Sequence, residues 1–280
     1  MLGRDHMLLA GVAGVALPPL LSPQSVSDPL ALAVGAVIVT GFGLLPDIDE
    51  PNSLISRKLG FVSQSVSRVT NKLAGGHRQL THSLPFVALV WGGVWLLDSR
   101  FTTWTTCIMF VAAASFAIKA LLPYVLRKIH LVTFIIVIGG GYWGYVHPIS
   151  PLWLATLAGG GTALHLVGDI LTVEGVPLLY PMRWRLRIPL VGHTSSMRES
   201  ILGAILAVVF LVMFSLNVLK PELTSVDAGL KSGVGQIPAK IQHVISEHKL
   251  PSVSAGTITS DIASVQRSIV TVEGWLNKKL

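Results

Sequence analysis

The chain has 280 residues, of which 51% are hydrophobic and only 12% charged, with a formal net charge of +7 and a mean hydropathy of +0.65. Soluble domains carry roughly 25% charged residues, so this composition excludes an ordinary soluble protein and indicates an integral membrane protein. The basic excess does not indicate a nucleic-acid binder: the basic residues of the short loops sit beside predicted helix ends, where anionic lipid headgroups account for them.

In chain order, apolar runs cover Met7–Leu21, Leu30–Pro46, Leu84–Leu97, Trp104–Leu126, Leu131–His147, Leu152–Leu171 and Ile201–Leu219. A spanning helix needs about 20 such residues. The expected fold is therefore all-α and polytopic, with six or seven helices. Met7–Leu21 and Leu84–Leu97 are short enough to be re-entrant instead. The first run follows Arg4 but lacks a small-residue cleavage pattern, and Pro18, Pro19 and Pro23 crowd its end, so it reads as retained. Cys107, the single cysteine, lies within an apolar run and reads as a buried structural thiol.

The stretches Asp47–Ser83, Arg127–His130 and Thr172–Ser200 share one side with the N-terminus and collect the basic residues of the short loops, whereas the opposite loops hold only Arg100. By the positive-inside rule that side is cytoplasmic. The helical membrane domain covers residues 1–219. Residues 220–280 form a polar tail, with "DAGLKSGVGQIP" as a linker and Ile258, Ile262, Val265, Ile269, Val272 and Leu276 at alternating four- and three-residue steps. That spacing predicts an amphipathic helix, either interfacial or an oligomerising seam.

Ionisable groups beside membrane helices are costly and mark function. Here His6 precedes the first apolar run, Asp47 and Asp49 in "LLPDIDEPNS" close the second, His77 and His82 precede the third, and His165 and Asp169 close the sixth. On the deduced topology all seven lie on the cytoplasmic face. His165 and Asp169, four apart, share one helix face. Asp47 and Asp49 follow Pro46 and read as a loop whose curl turns both carboxylates to one site. His77 and His82, five apart, would diverge by about 140° on a helix. The stretch from Gly75 therefore reads as a loop, with Ser83 as cap and Pro85 in the first turn of the next helix.

Mixed imidazole and carboxylate ligands suit zinc, manganese or iron, and seven candidates leave room for one ion or two. Each residue also has a plainer role open to it: Asp47 as a helix end, His77 and His82 as interfacial groups, His165 and Asp169 as a self-satisfied pair. Arg78 offers a fork for phosphate or carboxylate, and Thr81 and Ser83 are further phosphate-contacting or orienting groups. Glu174 is a candidate general base. His193 and Glu199 in "GHTSSMRES" stand before the last span, which Ser195 or Ser196 caps.

The ordered set of His6, "LLPDIDEPNS", "HRQLTHS" and "HLVGDILTVEGVPLLYP", separated by apolar helices, resembles the YdjM-like family of inner-membrane metal-dependent hydrolases. The resemblance covers about Met1 to Leu219. It implies a helical membrane fold with a hydrolytic metal site on Asp47, Asp49, His77, His82, His165 and Asp169, distantly similar to zinc-dependent phospholipase C. The expected function is a membrane-bound hydrolase, with a phosphoester or lipid-linked phosphate as substrate, Arg78 and Glu174 as catalytic groups and the lipid bilayer as partner. The alternative is a transport or metal-sensing site that breaks no bond. Transporters place ionisable groups near the midplane of repeated halves, and neither feature is evident here.

Overall fold

The computed structural model describes residues 2–21, 28–57, 60–121, 130–147, 149–182, 184–192, 196–221, 223–225 and 228. The chain divides into two compact units, Met1–Val218 and Leu219–Leu280. The amphipathic helix expected in the tail lies outside the described residues, as does His193.

The first unit is built from helices α1 (Gly3–Leu21), α2 (Pro29–Phe42), α3 (Phe61–Ala74), α4 (Leu84–Leu121), α5 (His130–Val146), α6 (Pro151–Ile170) and α7 (Met197–Phe214). Among the described residues there is no strand; two isolated bridges, Val176 with Leu186 and Thr172 with Gly192, fold the segment after α6 back on itself. Among the described residues three stretches are long and apolar enough to cross a membrane: Pro29–Asp49, Leu84–Thr102 and Met197–Ser225. Trp104–Ile118 and Phe134–Val146 are shorter apolar helices.

Start signals act where the sequence places them. Asp28 caps α2, its carboxylate accepting from the Leu30 and Ala31 amides at 2.9 and 3.2 Å, with Pro29 at the first position. Ser196 caps α7 by accepting from the Glu199 amide at 3.2 Å. The third and fourth apolar runs, expected as separate elements, are two helical limbs of α4 that meet at Phe101, whose φ/ψ of −138°/42° is not helical. The bend lets Trp91 meet Gly159 of α6 while Ala113 returns to Gly41 of α2. Cys107 lies in the second limb and is only half-buried.

At the centre, α2 packs between α1, α4 and α6. Its Ile38 and Val39 join Phe110, Ala113 and Ala114 of α4 and Leu154, Ala155 and Ala158 of α6 in one buried cluster. Small residues make this possible. A Cβ on Gly41 would stand 2.4 Å from the Ala113 Cα, and one on Gly161 would stand 2.4 Å from the Val39 carbonyl oxygen. The backbones of α2, α4 and α6 therefore touch at two glycines, the small-residue packing common in membrane bundles.

One element lies where a loop was expected. Within the stretch 47–83, α3 forms a 14-residue helix capped by Gly75 in the left-handed region (φ 83°), with the Gly76 amide bonded to the Asn71 carbonyl at 2.8 Å. Asp47 and Asp49 also lie in a helical turn, the 3₁₀ segment Leu45–Asp49.

Candidate metal centre

The 3₁₀ turn decides what the two aspartates do. Residues two apart in a three-residue turn point about 120° away from each other, so Asp47 and Asp49 diverge rather than share one target. They take opposite sides of the same imidazole. Asp47 Oδ1 lies 3.7 Å from His82 Nε2, while Asp49 Oδ2 lies 3.6 Å from His82 Nδ1.

His82 reaches this position because the chain before it turns tightly. Gly75, Gly76 and Arg78 all have positive φ, the last at 58°, a conformation that costs a non-glycine residue free energy. Contacts to Asp49 hold the turn: its carboxylate accepts from His77 Nδ1 at 2.7 Å, from the Arg78 amide at 3.2 Å and from the Thr81 hydroxyl. The 3₁₀ turn Leu80–His82 then delivers His82 inward, fully buried. His77 stays about one-third exposed.

From the other side, α6 presents His165 and Asp169 on one face, both buried. His165 Nδ1 donates to the Gly43 carbonyl at 2.8 Å. A carbonyl only accepts, so Nδ1 carries the proton and the Nε2 lone pair faces inward. His82 is oriented the same way. Its Nδ1 lies 3.0 Å from the Thr81 hydroxyl, which itself donates to Asp49, so Nε2 is the free base.

Four Lewis bases thus converge: Nε2 of His82, Nε2 of His165, Oδ1 of Asp47 and Oδ2 of Asp169. His82 and His165 are 3.2 Å apart; His82 to Asp169 is 3.4 Å and to Asp47 3.7 Å; His165 to Asp47 is 3.5 Å and to Asp169 3.6 Å. A tetrahedral zinc with ligand bonds of about 2.0–2.1 Å has ligand-to-ligand edges of about 3.3–3.4 Å. These five edges lie within a few tenths of an ångström of that figure. Two lone pairs at 3.2 Å beside two carboxylates repel unless a cation or a proton lies between them, so the donor set fits a transition ion. In the metal-free protein a proton serves. Burial works against charging His82, but Asp47, Asp49 and Asp169 overcome it and raise its pKa to about 9.

His6 joins from the first turns of α1. Its ring stacks on His165 with centroids 3.7 Å apart, and Nε2 lies 3.3 Å from Asp169 Oδ1. The seven residues accordingly form three overlapping groups able to hold an ion: His6, His165 and Asp169; Asp47, His82 and His165; and Asp49, His77 and His82.

The remaining candidates are placed differently from expectation. The Arg78 fork is already divided between two carboxylates, Asp169 Oδ1 at 2.8 Å and Glu174 Oε2 at 2.5 Å, and the side chain is buried. Thr81 and Ser83 are buried as well. Thr81 serves Asp49, and Ser83 takes the N-cap position of α4, its carbonyl accepting from the Phe86 and Val87 amides at 3.1 and 3.2 Å, while its hydroxyl donates to the Leu80 carbonyl at 2.5 Å. Glu174 is exposed at the rim. Glu199 is buried away from the ligands, where it accepts from the Leu2 amide and pins the start of α1 to α7.

Several contributors escaped the sequence. The Gly43 carbonyl fixes the His165 tautomer, the Asn71 amide donates to the Asp49 carbonyl at 2.8 Å, and Arg185 donates to the Arg78 carbonyl at 3.2 Å. Only Asn71 left a signal, through its place within the periodic apolar pattern of α3.

The model of the YdjM inner membrane protein family matches residues 1–222. The chain belongs to that family. It is 29% identical over 147 residues to inner membrane protein YdjM of Escherichia coli (strain K12), and equally to that of Shigella flexneri; the match covers 52% of this chain and 49% of each relative. The chain thus spans about half the length of the curated relatives it matches. No solved structure matches it. All seven clustered residues fall within the span matched by the family model.

Proposed function

We propose that this family member is a metal-dependent hydrolase of the inner membrane, holding one divalent transition ion, zinc by preference, on Asp47, His82, His165 and Asp169. The reading rests above all on the spacing of the inward-facing donors, with His82 and His165 each 3.2–3.7 Å from one another and from the carboxylates of Asp47 and Asp169. One ion is favoured over two because Arg78 already brings a positive charge to Asp169 Oδ1, on the side where a second ion would share that carboxylate. His6 braces Asp169 from that side, and Asp49 with His77 and Thr81 orients His82, the supporting role that carboxylates commonly play for ligand histidines.

A transition ion in this set would supply Lewis acidity and lower the pKa of a water toward about 7. The chain's own groups supply the rest. Asp47 lies on the more open side of the ligand set. At the rim, Glu174 is held by Arg78; an incoming phosphate competes for the same guanidinium nitrogen and frees the Glu174 carboxylate to take a proton from the attacking water. Arg78 then carries the charge developing on the phosphoryl oxygens. The substrate class is a phosphoester, and the location of the site beside membrane helices favours a lipid-linked one on the cytoplasmic face.

One observation favours a second reading. All four donors come from the protein and are buried or nearly so. Such closure is typical of structural zinc, so the ion could lock or report on the bundle without breaking a bond. Metal analysis of purified protein, with His82→Ala and Asp169→Ala beside it, tests the site; full retention of metal by both variants overturns it. Phosphomonoester and phosphodiester turnover by the loaded protein, lost in Glu174→Gln with metal retained, supports the hydrolase. A fully loaded protein inactive on every phosphoester leaves the structural reading.

A further inference from the structure

The helix α3 is built inside out. On its wheel, Val62, Val66, Val69 and Leu73 form one stripe, and the opposite stripe is Ser67, Asn71 and Ala74. In a soluble protein the apolar stripe would face the core. Here Ser67 and Ala74 are the buried residues and Asn71 bonds to the Asp49 carbonyl, while Val62, Val66, Val69 and Leu73 are 48–77% exposed. Phe61 is 78% exposed at the helix start. The exposed basic residues Arg68 and Lys72 flank the apolar stripe on one side, close to Phe61 on the wheel.

We infer that α3 is an interfacial helix that lies in the headgroup region of the same membrane, with its valine and leucine stripe at the acyl boundary and Arg68 and Lys72 on anionic lipid phosphates. Two features select lipid as the occupant. The first is continuity: α3 packs on the Leu45–Asp49 turn, which closes the apolar stretch Pro29–Asp49, so its outer face stands at the level where a spanning segment ends. The second is charge: an apolar stripe flanked by cations is the pattern of helices that bind anionic membrane surfaces, and each basic residue strengthens that attachment roughly fivefold. Because Asn71 holds the turn bearing Asp47 and Asp49, the lipid surface is thereby coupled to the position of the ligand loop. The inference is independent of what the metal centre does.

The test uses the full chain in lipid nanodiscs on a Cys107→Ala background, with a fluorophore at Val66→Cys, Val69→Cys or Leu73→Cys and, for reference, at Asn52→Cys. These side chains are exposed, so the substitutions remove no core contact. Nitroxide-labelled lipids are expected to quench all three α3 positions severalfold more than Asn52, with aqueous iodide showing the reverse order. Replacing anionic with zwitterionic lipid, or introducing Arg68→Gln with Lys72→Gln, should reduce the lipid quenching severalfold. In the unlabelled protein, amide hydrogen exchange across residues 61–74 should slow in anionic discs. Iodide quenching equal to that at Asn52 overturns the inference. So does protection from both quenchers that disappears when discs carry a single copy, because the stripe would then be covered by a second chain.

Discussion

The helix α2 and the helices α4 and α7 all contain stretches apolar enough to cross a membrane, yet they use that apolarity differently. In the α2 stretch 61% of residues are buried within the protein; in those of α4 and α7 the figure is 17%. α2 is apolar because other helices surround it. α4 and α7 are apolar because lipid does. The difference predicts where the polar chemistry lies: the ligand residues sit at the end of α2, on α6 packed against it, and on the loop that Asp49 holds, while exposed Leu89, Val208 and Leu211 mark the outer surface. Within the inner group, spacing to a few tenths of an ångström matters; on the outer faces, apolarity suffices.

Substitutions can break this contrast at graded strength. Removing a direct ligand by His82→Ala or Asp169→Ala should have the largest effect. A structural zinc site contributes roughly 10–16 kcal/mol over four ligands, so ion affinity should fall on the order of a hundred- to a thousandfold, as read by competition with a chelating dye. Asp49→Asn and His77→Ala, which disturb only the support of His82, should cost about 10–100-fold in the same assay.

Next comes pH. The metal-free site holds a proton on His82 up to about pH 9, and an ion must displace it. Apparent affinity should rise about tenfold per pH unit toward that value and then level off. The sign for folding is opposite. Because the pKa of His82 is raised above the usual 6.5, its charge stabilises the metal-free fold fully below about pH 6.5, and that contribution is lost as pH rises through about 9. Thermal melts of stripped and loaded protein across this range should therefore diverge; parallel curves would contradict the proton's place in the site.

Gly161→Val touches no ligand but forces α6 from the Val39 carbonyl, so it should destabilise the fold by about 1–3 kcal/mol and lower ion occupancy with it. At the other extreme, Leu89→Ala or Val208→Ala should change stability by less than about 0.5 kcal/mol and leave ion binding intact.

The sequence made the helical membrane architecture legible because hydropathy is a local property. The candidate ligands were legible because ionisable residues are conspicuous beside apolar runs. What it hid was pairing. Nothing local shows that Arg78 meets Asp169 and Glu174, 91 and 96 residues further on, so its guanidinium read as an open fork when two carboxylates already fill it. Asp47 and Asp49 read as partners because they are neighbours, whereas a 3₁₀ turn aims them at opposite sides of His82. Glu199 read as a site residue and instead anchors the start of α1. The helix α3 went unread because its stripe of four apolar residues lies among polar and basic neighbours and scores as a loop in a hydropathy scan.

The bond from His165 to the Gly43 carbonyl joins positions 122 residues apart, and it sets an order of events during synthesis. A nascent chain carries Asp47, Asp49, His77 and His82 long before α6 has emerged. Until then, of the groups able to hold an ion, His82 has only that with Asp49 and His77 beside it, and the four-donor set lacks His165 and Asp169. High-affinity capture of an ion is thus postponed until the sixth helix has docked. Metal loading, followed in time on stalled nascent chains, would serve as a clock for completion of the bundle.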